Sequence, residues 1–162
     1  MIALTQSYLR GRIMAAVTVT QRIEAPVETV FRLATDVDHW AGRITGITKV
    51  ERLTNGPVGV GTRFKETRMM FGKQATETME FSAFEPNRRY QLTADSCGAL
   101  YQTEFRFEPD GTGTRLSVDM RVTARSFFAK LMKPLAWMMC GMMKKCLMKD
   151  LDDLKAAAER PA

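Results

Sequence analysis

The run "TRFKETRMM", Thr62 to Met70, sets Glu66 and Arg68 two positions apart in a segment that otherwise reads as a strand. Strand side chains alternate between faces, so if Phe64 points inward then Thr62, Glu66, Arg68 and Met70 do too. A carboxylate and a guanidinium indoors are costly without partners. Glu66 and Arg68 are therefore expected to pair with each other, with a cross-strand group such as Glu77, or with the polar end of a ligand. The alternative is a one-residue bulge, or a strand end open to water, that leaves both charges solvated. The same alternation turns Met79, Phe81, Tyr90, Leu92, Tyr101, Thr103, Phe105 and Met120 to the inner face. Tyr101 and Thr103 would then offer hydroxyls among apolar walls, the mixture expected of a small-molecule pocket.

Other chemistries find little support. There is one histidine, His39, with no HExxH, and the three cysteines, Cys97, Cys140 and Cys146, form no CxxC, so no metal site is expected. His39 reads as a solvated or capping residue beside Trp40, and Trp40 as a wall of the core or of a ligand pocket. No serine or cysteine stands in a nucleophile elbow. The stretch "NGPVGVGTRFKE", Asn55 to Glu66, carries Gly56, Gly59 and Gly61. A phosphate-binding glycine turn follows a strand and opens a helix, and this one leads into a strand, as does "GTGTRL" at 111–116. Both read as strand-starting turns, and no cofactor is expected.

These residues must be positioned by elements that the pattern makes visible. "VTVTQRI" alternates as a strand, Pro26 suits a first helical turn, and Val27, Val30, Phe31 and Ala34 follow at helical spacing. Asp36 is placed to cap a second short helical turn through His39 and Trp40, which Gly42 would end. From residue 46 to 123 the period is two, with strands expected over 47–53, 62–70, 74–84, 89–94, 100–107 and 114–123. The connections are too short for parallel crossovers, so the strands form an antiparallel meander. From 126 to about 158 an apolar stripe runs through Phe127, Phe128, Leu131, Leu135, Met138, Met142, Leu147, Leu151 and Leu154 at helical spacing, with Pro134 expected to kink the helix or split off its first turn. So long an amphipathic helix needs a broad apolar partner, and the concave face of the sheet is the candidate.

Composition agrees with one globular domain: 162 residues, 45% hydrophobic and 26% charged. The expected layout is a loose arm or alternative-start extension over 1–13 and a single domain over 14–160. The odd cysteine count suits a reducing, cytoplasmic compartment. The opening residues lack the apolar core of an export signal, and the most apolar run, Pro134 to Met143, is too short to cross a bilayer. The net charge of +6 is scattered among acids, with no zinc-finger or RNA-recognition spacing, so no nucleic-acid partner is expected. Lys130, Lys133, Lys144, Lys145 and Lys149 precede the first acid of the last helix, Asp150, a pattern compatible with weak contact to anionic membrane surfaces as well as with a solvated helix face.

The order of a strand, "APVETVFRLATDVDHW", a short helix, "GPVGVGTRFKE", several strands, "GTGTRLSVDMRV" and a long terminal helix resembles the polyketide cyclase/dehydrase and lipid-transport group of the START-like (SRPBCC, Bet v 1-like) superfamily, over residues 17 to 157. The resemblance implies an α+β helix-grip fold: a seven-stranded curved antiparallel sheet wrapped around the C-terminal helix, with two short helices after the first strand. It also implies a hydrophobic small-molecule ligand, such as a lipid or polyketide, held between sheet and helix. The candidate cavity residues are Trp40, Phe64, Met79, Phe81, Tyr90, Leu92, Thr103, Phe105, Met120, Met138 and Met142. The leading expectation is a binding or transport protein; the alternative is an aromatase/cyclase without metal. In the alternative Arg68 stabilises an enolate-like oxygen and Tyr101 or Glu66 moves a proton. A third expectation is an adaptor at a lipid surface or on a protein partner.

Overall fold

Seven strands form a single sheet in the order β1-β7-β6-β5-β4-β3-β2, with antiparallel neighbours throughout. A computed structural model describes residues 13–70, 72–125 and 133–160, with side chains for all of these except 133–139. The strands are β1 (Ile13–Ile23), β2 (Ile47–Arg52), β3 (Arg63–Met70), β4 (Lys73–Glu85), β5 (Arg89–Ser96), β6 (Ala99–Asp110) and β7 (Gly113–Ala124). Consecutive strands from β2 to β7 pair as a meander, and β1 returns to β7, so β1 and β2 are the two edges. Every strand expected from the alternation is present, with ends moved by a few residues. β1 takes in Ile13, the last residue of the expected arm; the rest of that arm lies outside the described residues.

Helix α1 (Val27–Thr35) follows β1, then a 3-10 turn (Val37–His39) and α2 (Trp40–Arg43). α1 forms because Val27, Val30, Phe31 and Ala34 share one face, and all four are buried. Gly42 does not end the second short helix, which runs one residue further. Asp36 precedes the 3-10 turn without capping it through its side chain; its carboxylate instead meets His39 Nδ1 at 2.8 Å and Arg43 Nη2 at 3.0 Å, and Arg43 Nη1 donates to the Leu33 carbonyl at 2.8 Å. Those bonds fix how the chain turns from α1 toward β2.

The long helix α3 (Lys133–Ala158) packs on the inner side, mainly against β1 and α1. Its C-terminal half is tied down by charge: Asp153 accepts from the Thr45 N–H at 2.8 Å, Lys155 donates to the Arg22 carbonyl at 2.7 Å, and Glu159 accepts from the Glu24 N–H at 2.7 Å. Phe127, Phe128 and Leu131, and any break that Pro134 introduces before α3, lie outside the described residues. Within α3, Leu147, Leu151 and Leu154 are buried as the stripe requires.

The glycine-rich stretch between β2 and β3 is a strand-starting turn. Gly56 and Gly61 take positive φ (93° and 86°), the Gly61 N–H donates to the Phe81 carbonyl, and Thr62 closes back on Gly59 through both backbone and hydroxyl. In "GTGTRL" the requirement is space: a Cβ on Gly113 would sit 2.5 Å from the Ile23 carbonyl oxygen. Thr114 then anchors the crossing of β7 and β1 through its buried hydroxyl, which donates to the Ala25 carbonyl at 2.7 Å.

Candidate functional site: a cavity between sheet and terminal helix

The inner face of the sheet divides into two zones. At the α1 end, aromatic rings fill the space. Phe31 meets Phe84, Tyr90 and Phe107 edge-on, with centroids 5.4, 6.1 and 5.1 Å apart, and Tyr90 stacks on Phe105 at 4.5 Å. Phe84 reaches this cluster because β4 bulges between Phe81 and Ala83: the extra residue, Ser82, resets the alternation and turns Phe84 inward. Beyond the rings the helix and sheet separate, leaving a cavity of about 500 Å³, within the ~300–1,000 Å³ usual for small-molecule sites.

The cavity wall is mostly apolar. Trp40, Met79, Tyr90, Leu92, Thr103, Phe105 and Met120 line it, as do Glu66, Arg68 and Tyr101. α2 and the start of β2 add Ile44 and Ile47, and α3 contributes Met143, Cys146, Leu147, Asp150, Leu151 and Leu154. Three residues expected to face the ligand stand elsewhere. Phe64 and Phe81 are fully buried behind the wall: Phe64 packs edge-on against Trp40 at 5.4 Å and tilts onto Phe81 at 5.8 Å. They lie on the inward face, as alternation requires, but other rings cover them. Met142 is 38% exposed, and its neighbour Met143 takes the place in the cavity; one residue along a helix is a rotation of about 100°. The Met138 side chain lies outside the described residues.

The polar centre of the cavity is an arginine held between two carboxylates. Arg68 Nε donates to Glu66 Oε1 at 2.7 Å, and Arg68 Nη2 donates to Asp150 Oδ2 at 2.8 Å. The Glu66 side chain is 5% exposed, so the indoor arrangement holds rather than the solvated one. The pair of charges expected from β3 is thus present, with a third member from α3. Glu77, directly across from Glu66, does not join it: its Oε1 accepts from Ser96 Oγ at 3.0 Å. Asp150 is the member not expected from the sequence. It sits three residues after Leu147 and one before Leu151, a polar side chain inside the apolar stripe, and that spacing was the available signal.

Burial governs the electrostatics. Loss of hydration raises both the Glu66 and Asp150 carboxyls above the usual carboxylate range, against the attraction of Arg68, which is too weak to bring them back. Arg68, facing two carboxylates, is held firmly in its charged form despite its own burial. The phenols of Tyr90 and Tyr101 are also raised, chiefly by burial, and the Tyr90 hydroxyl donates to the Ala34 carbonyl at 3.4 Å. At the surface, Lys144 and Lys145 are exposed and Lys149 pairs with Asp153. Among the described residues no helix is long and apolar enough to cross a membrane.

A curved antiparallel sheet gripping a terminal helix, with an apolar cavity between them, defines the helix-grip class. The chain belongs to the family described as polyketide cyclase / dehydrase and lipid transport, which it matches over residues 14–159. No curated protein matches it by sequence. Among solved structures it is similar to the Zhui aromatase/cyclase from Streptomyces sp. R1128 (19% identity, TM-score 0.77, covering 90% of this chain and 94% of that one). It is also similar to Ara h 8.0201 (16%, 0.72, 89% and 97%) and to a START superfamily protein from Mycobacterium smegmatis (18%, 0.68, 89% and 97%). At these identities the likeness establishes the fold.

Proposed function

We propose that the protein binds a hydrophobic small molecule in the cavity between β3–β7 and α3, and that it acts as a carrier or store in the cytoplasm. The single observation that carries this reading is the cavity itself: about 500 Å³ of space walled mainly by apolar side chains, in a molecule whose aromatic end is filled by the same residue types. Burial of ligand surface there is worth roughly 25 cal/mol per Å², and Met79, Met120 and Met143 give the wall adaptability. The free state of all three cysteines suits a reducing compartment. The experiment is titration with a neutral, polarity-sensitive probe, N-phenyl-1-naphthylamine. Saturable one-to-one enhancement is expected, and Thr103→Trp, which fills the cavity from the middle of β6, is expected to abolish it. Undiminished binding by that variant would remove the cavity as the site.

One observation favours a second reading, an aromatase/cyclase without metal. Arg68 stands in the cavity as a fixed cation that can stabilise an enolate oxygen, with Tyr101 on the same wall and Glu66, raised toward its neutral form, as a proton carrier. Arg68 and Glu66 are in contact, and Tyr101 is brought to the same cavity. If this reading holds, replacing Arg68 lowers turnover of a poly-β-keto thioester by orders of magnitude; under the carrier reading no such turnover exists to lose.

A further inference from the structure

A guanidinium amid apolar walls ordinarily suits a carboxylate ligand, which it clamps with two parallel N–H groups. In this cavity Arg68 is already engaged by Glu66 and Asp150. Among the described residues the other charged lining residues, Lys73 and Glu77, are one of each sign, so this part of the wall carries three carboxylates against two cations although the whole chain is +6. Behind Asp150 on α3, Lys149 is bonded to Asp153, whose charge balances its own. An incoming carboxylate would meet a site of its own sign in a poorly screened space, with Nε and Nη2 of Arg68 already given to Glu66 and Asp150.

We propose that the cavity selects its ligand by charge: it admits apolar molecules whose polar end is neutral or cationic and turns away free fatty acids and other carboxylates. The inference rests on the binding reading above and narrows it. Glu66 and Asp150 are the specificity determinants, and the Tyr101 and Thr103 hydroxyls are the groups available to a neutral oxygen.

The test is a series of dansyl-labelled undecyl probes identical except for the end group: carboxylic acid, methyl ester and primary amine. At about pH 8 the wild type is expected to bind the ester at least about tenfold more tightly than the acid, and the amine at least as tightly as the ester. Asp150→Asn and Glu66→Gln each remove one carboxylate, and each is expected to shrink the ester-to-acid ratio to below about threefold by strengthening acid binding. The wild-type series stands without the variants if either fails to fold. Acid bound as tightly as ester, or a ratio unchanged in both folded variants, overturns the proposal and leaves the carrier reading intact. Failure of all three probes on the wild type overturns both.

Discussion

Two ionic networks of similar make-up occupy opposite faces of the same sheet. On the outer face Arg89 and Arg106 share Glu104, and Arg106 reaches on to Asp119; on the inner face Glu66 and Asp150 share Arg68. The outer arginines are 40% and 48% exposed, whereas the Arg68 side chain is 19% exposed and Glu66 only 5%. Glu104 itself is 16% exposed, but water solvates the outer arginines whether paired or free, so forming these pairs changes little. The inner three groups have lost most of that solvation, and removing the shared Arg68 leaves both carboxylates without their partner. Equal chemistry on the two faces therefore yields surface decoration on one and a candidate recognition element on the other.

The sharpest break of this contrast is Arg68→Met. It strands the buried Glu66 and the half-buried Asp150 carboxylates, and a loss of about 3–5 kcal/mol in denaturant-unfolding stability is expected near pH 8. The loss should diminish in acid as the carboxyls take up protons. A cost below about 1 kcal/mol would place the inner network on the same footing as the outer.

A subtler probe is pH. Because the folded-state values of Glu66 and Asp150 are raised, the native protein binds a proton more readily than the unfolded chain. Wild-type stability therefore rises as pH falls through the raised values toward the ordinary carboxylate range. Asp150→Asn has one such group fewer, so it should compare best with the wild type at about pH 8 and lose that advantage toward about pH 5. Thermal melts of both proteins across that range measure it; a gap independent of pH would mean that the carboxyls titrate normally. The smallest effect belongs to the outer face: Arg106→Ala is expected to cost no more than about 1 kcal/mol and to become neutral in about 1 M salt.

The two faces were not equally legible in the sequence. Alternation identified each strand and its inward face, because a period of two survives regardless of what packs above it. Depth was not encoded in the same way. Phe64 and Glu66 share a face, yet Phe64 lies under Trp40 while Glu66 opens into the cavity, a difference set by where the Trp40 ring of α2 lands on the sheet. Phe84 depended on a bulge at Ser82 that no turn residue announces. On α3 the stripe was traced through apolar side chains alone, which slid it from Met143 to Met142 and skipped Asp150, the residue that links helix to sheet. A half-buried acid looks like a gap in a hydrophobic pattern until its partner, eighty-two positions away, is known.

The most direct test of the central claim is native mass spectrometry of the protein as purified from cells, with and without the neutral naphthylamine probe. A bound small molecule at one-to-one stoichiometry that is lost on denaturation, or one-to-one uptake of the probe by wild type but not by Thr103→Trp, is the predicted result. A protein that carries nothing and takes up no probe, or takes it up equally when the cavity is filled, would contradict the account.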